Sequence, residues 1–76
     1  MENITILRNA FIMMAKERKQ VNLSDKKYWD EIICKLENNR PLSKCGIWSA
    51  DLFAKVYSEM RLPPKQYDTM FNRFFK

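Results

Sequence analysis

Histidine is absent from this sequence, glycine occurs once, and cysteine occurs only twice. Without histidine, the commonest general acid–base residue is missing, and a zinc site would need an unusual set of ligands. Two cysteines, Cys34 and Cys45, are too few for a disulfide scaffold, and no signal-peptide pattern precedes them. We therefore expect no bound metal or cofactor, and a cytoplasmic protein with reduced thiols.

Residues that could carry out catalysis are equally scarce. The chain has no glycine-rich phosphate-binding loop, and neither cysteine is accompanied by a histidine that could activate it. Cys34 lies beside the apolar stripe of a predicted helix, so we expect it to be partly buried. The carboxylates of Asp30, Glu31 and Glu37 fall on the solvent side of that same helix. These absences predict a protein that is not an enzyme.

Long apolar runs are also missing, since the most apolar stretch, "AFIMMA", is short and has charged residues on both sides. We therefore expect no membrane association. A chain of 76 residues allows a single domain, residues 1–76, with a modest core. Its 46% hydrophobic and 13% aromatic content favours a folded domain over disorder. A chain with one glycine lacks the turns that β-hairpins need, so the composition predicts an all-α fold.

Apolar residues recur at helical spacing in four segments of the sequence. The first, roughly residues 4–18, is apolar over so much of its surface that it must be either wrapped by the other helices or used in a dimer. The second has Ser24 as a candidate N-cap and ends at the "NNRP" run of residues 38–41. The pattern thus predicts a compact bundle of four helices, of which two lie in the N-terminal half.

The third predicted helix starts near Ser49, another candidate N-cap, and stops near Arg61, because the Pro63-Pro64 pair cannot continue it. Between the second and third helices, "PLSKCGIW" is predicted to form a loop that Ile47 and Trp48 anchor to the core.

The fourth segment separates its polar and apolar residues most completely. Pro64 suits a first helical turn, because its missing N–H is not needed there. On a helix, five apolar residues then fall within an arc of about 140°; they are Tyr67, Met70, Phe71, Phe74 and Phe75. The opposite side is entirely polar and comprises Lys65, Gln66, Asp68, Thr69, Asn72, Arg73 and Lys76.

Two short helices joined by a tight turn are the components of a helix-turn-helix. Residues 53–70, "FAKVYSEMRLPPKQYDTM", resemble the helix-turn-helix unit of bacterial DNA-binding regulators in the spacing of their apolar positions. Two positions differ from that pattern. Tyr57 replaces a small residue and would separate the two helices, and Arg61 replaces a glycine whose backbone shape it must avoid or tolerate.

The resemblance implies a small transcriptional regulator that places its C-terminal helix in the major groove of double-stranded DNA. It implies adenine contacts from Gln66 and Asn72, and a guanine contact from Arg73. The other implied contacts are made by Thr69 to a base, and by Lys65, Lys76, Arg61 and Lys44 to the DNA backbone.

The distribution of charge favours the same partner. Fourteen basic residues against nine acidic ones give a net charge of +5, and residues 60–76 carry four bases and one acid. Such an excess attracts nucleic acid through long-range attraction and counterion release.

The alternative is a protein-binding modulator, meaning an adaptor, inhibitor or anti-activator that docks on a regulator or enzyme through apolar helix surface. Ile12, Met13 and Met14 spread around the first helix and supply such a surface. The same three residues would equally serve a homodimer, which would also suit a DNA-binding protein.

Overall fold

The computed structural model describes residues 3–21, 23–42 and 46–76, and within these ranges the fold is all-α with no strand. Its four helices are α1 (Asn3–Val21), α2 (Lys26–Glu37), α3 (Gly46–Glu59) and α4 (Tyr67–Phe75). Two single-turn 3-10 helices, Leu23–Asp25 and Pro64–Gln66, lead into α2 and α4. The predicted all-α fold with four helices is confirmed.

The core forms where three phenylalanines from three different helices meet. The ring centroids of Phe11 on α1 and Phe53 on α3 are 5.9 Å apart, and the ring of Phe74 on α4 lies 5.1 Å from Phe53. Helix α2 also packs against α1, and the face of α2 that includes Trp29 and Ile32 is buried. Because each helix contributes a stripe at spacings of three and four residues, the burial pattern follows the predicted periodicity.

Helix α1 is longer than predicted, since it continues to Val21 rather than stopping near residue 18. No glycine or proline interrupts the sequence there, so nothing ends the helix at its last buried residue, Ala15. Helices α2 and α3 both pack against α1. The wide apolar surface of α1 is therefore explained in part by packing on two sides, although Met13 remains exposed.

Helix α2 ends as its sequence predicts. Asn39 has a positive φ of 56°. The amide of Arg40 donates to the carbonyl of Lys35, and the amide of Asn39 donates to that of Leu36. This pair of hydrogen bonds is a Schellman motif, and asparagine tolerates the left-handed conformation that the motif requires. At the other end, Ser24 lies within the 3-10 turn, so the prediction that it caps α2 is wrong.

Helix α3 starts at Gly46, three residues before the predicted start at Ser49. Ser49 is fully buried, and its hydroxyl lies 2.6 Å from the hydroxyl of Tyr28. With Ser49 facing inward, Ile47 and Trp48 are turned to the outside, where 77% and 57% of their surface is exposed. The prediction that these two residues anchor a loop to the core is wrong.

Cys34 is exposed, so the prediction of partial burial is also wrong. It lines an open depression between α1 and α2 together with Lys16 and Lys19, whereas the neighbouring Ile33 is buried. Cys45 lies outside the described residues.

None of the described helices combines the length and hydropathy needed to cross a membrane.

Candidate nucleic-acid interface

The turn between α3 and α4 fixes the direction in which α4 leaves the core. Arg61 has a φ of 53°, the left-handed conformation usually taken by glycine, and its amide donates to the carbonyl of Ser58. Pro63 has a φ of −59° and a ψ of 129°, and Pro64 begins the 3-10 turn that precedes α4. The predicted stop of α3 near Arg61 and the position of Pro64 in a first helical turn are both confirmed.

Tyr57 fills the space between α3 and α4. Its ring is almost completely buried and lies edge-on to the ring of Tyr67, with the centroids 5.1 Å apart. Its hydroxyl donates a hydrogen bond to the carbonyl oxygen of Pro63. The backbones of α3 and α4 approach each other much less than those of α1 and α2. The Tyr57 side chain thus lies between α3 and α4, and its hydrogen bond connects the turn to α3.

The apolar side of α4 faces the core, as the periodicity predicts, and its aromatic residues surround Phe53 of α3. Phe74 is buried, and the other four apolar residues of α4 are partly buried. The ring centroids of Tyr67, Phe71, Phe74 and Phe75 lie between 5.1 and 5.8 Å from that of Phe53. Aromatic pairs at these distances add to the stabilisation from buried area, so these contacts hold the apolar side of α4 against the core.

The polar side of α4 is exposed throughout. We call this side, together with the exposed residues of the preceding 3-10 turn and Lys76, the α4 polar face; it comprises Lys65, Gln66, Asp68, Thr69, Asn72, Arg73 and Lys76. Thr69, Asn72 and Arg73 are spaced by three and four residues, which places their side chains next to one another. Within the part of the chain that the structure describes, no basic side chain of this face is paired with a carboxylate. Arg61 is exposed in the adjoining turn, and Lys44 lies outside the described residues.

Asp68, the acidic residue of the α4 polar face, has a structural explanation. It lies in the first turn of α4, where a carboxylate interacts favourably with the positive end of the helix dipole. Burial raises the pKa of the Tyr67 hydroxyl above its ordinary value of 10.0, and the charges of Asp68 and Asp51 raise it further. The carboxylates of Asp68 and Asp51 thus lie near the beginning of α4, and the basic residues Arg73 and Lys76 lie towards its end.

Two further arginines lie at the C-terminal end of α4, and the sequence pattern did not reveal them. The guanidinium of Arg8 on α1 lies 5.3 Å from the centre of the Phe74 ring, a cation–π arrangement. The amide of Leu42 donates to the carbonyl of Phe74, which brings the loop containing the exposed Arg40 to the same end. Both arginines are distant from α4 in sequence, so only the tertiary packing shows that Arg8 and the loop containing Arg40 lie near the end of α4.

The residues predicted for a dimer or partner interface do not form one surface. Met13 and Met14 line a groove between α1 and α3 together with Val56 and Met60. Ile12 instead lines a different depression, between α1 and the end of α2, beside Leu36.

The described residues contain no group of three or more side chains arranged to hold a metal ion. No protein-family model matches this chain, and no curated protein or solved structure is significantly similar to it.

Proposed function

We propose that this protein is a small, non-enzymatic, DNA-binding transcriptional regulator that inserts α4 into the major groove of double-stranded DNA. The observation that carries the proposal is the α4 polar face. It is fully exposed and basic, and its basic side chains are unpaired within the described residues. A helix whose apolar side is fixed by an aromatic cluster can offer such a face without rearrangement, which reduces the entropic cost of binding.

The side chains of the α4 polar face divide between base and phosphate contacts. Asn72 and Gln66 carry amides that can pair with adenine, and the guanidinium of Arg73 can pair with guanine. Thr69 lies beside Asn72 and Arg73 and supplies a methyl or hydroxyl contact. The contacts to the DNA backbone are assigned to Lys65, Lys76 and Arg61.

The electrostatics of the surrounding surface support the same partner. Arg8 and the loop that contains Arg40 lie near the same end of α4 as Arg73 and Lys76. In the proposed complex these basic groups would contact the phosphates flanking the groove. Such a regulator would act in the cytoplasm, and a dimeric form would present two copies of α4 to successive major grooves.

The proposal is tested by measuring binding to a fluorescent DNA duplex over a range of salt concentrations. The wild type should lose affinity steeply with salt, because each phosphate contact releases a counterion. The Lys65→Ala/Lys76→Ala variant should bind more weakly, with the log–log slope reduced by about 2. The matched control, Lys16→Ala/Lys27→Ala, removes two charges from exposed positions of α1 and α2. Equal slopes for the two double variants would remove Lys65 and Lys76 from the interface.

A second candidate function, a modulator that docks on another protein, is favoured by the exposure of Ile47 and Trp48. Tryptophan is enriched among the residues that dominate protein–protein binding energy. A stoichiometric complex with a host protein that Trp48→Ala abolishes, combined with no duplex binding at low salt, would favour this function over the first.

A further inference from the structure

The groove between α1 and α3 has an apolar floor that no described part of the chain covers. Two depressions of about 200 and 240 Å³ share Met14 and Glu17, and together they form one continuous feature that we call the α1–α3 groove. Its apolar residues are Ala10, Met13, Met14, Val21, Val56 and Met60.

Part of this apolar surface is exposed to solvent. Met13 is 67% exposed and Val21 is 76% exposed, and both are among the largest exposed apolar side chains of the described residues. Val56, by contrast, is buried at the floor of the groove. Methionine side chains are flexible and adapt their shape to a partner, so a groove lined by three of them suits a protein surface better than a small rigid ligand.

The charges around the α1–α3 groove are balanced, although the protein as a whole carries a net charge of +5. Two carboxylates, Glu17 and Glu59, and two basic groups, Arg18 and Lys55, line it. Glu17 and Lys55 line the same depression, yet neither forms an ion pair with any described residue. A patch with equal numbers of positive and negative charges does not attract a polyanion such as DNA. Two copies of such a patch can, however, pair their opposite charges with each other.

We propose that a second copy of this chain docks on the α1–α3 groove and forms a dimer with twofold symmetry. In such an interface the same patch is used twice, so a contact from one protomer to its partner is repeated in reverse. Met13 of each protomer then packs into the apolar floor of the other. Glu17 faces the partner's Lys55, and Lys55 faces the partner's Glu17.

The role of this dimer rests on the proposed function, because two recognition helices are needed to contact successive major grooves. Its existence does not depend on DNA. The surface also differs from the predicted set of Ile12, Met13 and Met14, since Ile12 lies in a separate depression.

A charge-swap experiment tests the dimer, with the molecular mass measured by sedimentation equilibrium in the absence of DNA. The wild type should have twice the chain mass of 9.2 kDa. Glu17→Lys and Lys55→Glu should each weaken dimerisation about tenfold or more, because each brings like charges together. The double variant Glu17→Lys/Lys55→Glu should recover the wild-type dissociation constant, since the two charges are only exchanged.

Lys27→Glu serves as the control, because it reverses an exposed charge on α2, outside the groove, and should leave the dimer unchanged. All three positions altered in this test are exposed, so circular dichroism should show the same helical content in every variant. A wild type that stays monomeric, or a double variant that dimerises no better than the single ones, would overturn the proposal. A monomer with salt-dependent DNA binding would leave the proposed function intact, whereas a dimer that binds no duplex would contradict that function alone.

Discussion

The hydroxyl of Tyr57 donates a hydrogen bond to the carbonyl oxygen of Pro63, with 2.5 Å between the two oxygens. This bond joins the last turns of α3 to the residue that precedes the Pro64–Gln66 turn. Two prolines already restrict the backbone at this point. The hydrogen bond adds a tertiary constraint to the turn from which α4 leaves the core.

Removing the Tyr57 hydroxyl should therefore loosen the turn. We predict that Tyr57→Phe lowers the free energy of unfolding by about 1 kcal/mol, the usual net contribution of one hydrogen bond. Urea denaturation at neutral pH measures the change. Tyr67→Phe is the matched control, because the Tyr67 hydroxyl makes no hydrogen bond among the described residues and its loss should have little effect. Equal stabilities of wild type and Tyr57→Phe would show that the hydrogen bond does not stabilise the turn.

The positive φ of Arg61 predicts a gain in stability on replacement by glycine. A left-handed conformation costs an ordinary residue roughly 1–2 kcal/mol, and the greater entropy of glycine in the unfolded chain offsets part of that gain. We predict that Arg61→Gly raises the free energy of unfolding by about 0.5–1 kcal/mol. Asn39→Gly should give a smaller gain, because asparagine tolerates the same conformation. Because Arg61 is also assigned a DNA contact, Arg61→Gly should be more stable and yet bind duplex more weakly.

Truncation of the two tryptophans should have very different effects on stability. Trp29 is 1% exposed and Trp48 is 57% exposed. We predict that Trp29→Ala lowers the free energy of unfolding by about 3–5 kcal/mol and that Trp48→Ala changes it by less than about 0.5 kcal/mol. Thermal denaturation followed by circular dichroism compares the two. A large loss of stability in Trp48→Ala would mean that this side chain anchors the domain after all.

Tyr67 should make stability depend on pH in alkaline solution. Its pKa is raised in the folded protein, so the neutral phenol is favoured there more than in the unfolded chain. The resulting contribution to stability is fully present below the unfolded-state pKa of about 10, and it is lost as the pH rises through the higher folded-state value. We predict that the urea midpoint of the wild type falls more steeply above about pH 10 than that of Tyr67→Phe. Parallel curves for the two proteins would contradict the raised pKa.

The four helices and the two sides of α4 could be predicted from the sequence because they depend on local periodicity. The apolar residues of α4 face the core as their spacing predicts, and the Pro63-Pro64 pair indicates that α3 stops near Arg61. The end of α2 could likewise be predicted, because Asn39 readily adopts a positive φ.

The start of α3 and the surface beside it could not be predicted in the same way. Ser49 is a common N-cap residue, but here its hydroxyl lies against that of Tyr28, a residue 21 positions earlier in the chain. A tertiary contact thus overrode the local capping preference, and this in turn exposed Ile47 and Trp48. The position of Arg8 near the end of α4 could not be predicted for the same reason, since it depends on how α1 packs against Phe74.

The central claim, that the α4 polar face reads DNA, is tested most directly by selecting binding sites from a random pool of duplexes with the purified wild-type protein. Affinities for the selected duplex are then compared for the wild type, Arg73→Ala and Lys16→Ala, which each lose one positive charge. We predict that a defined sequence is enriched and that Arg73→Ala weakens binding to it by about 1–3 kcal/mol, whereas Lys16→Ala binds nearly as well as the wild type. The claim is contradicted if no sequence is enriched and the wild type shows no salt-dependent binding to any duplex.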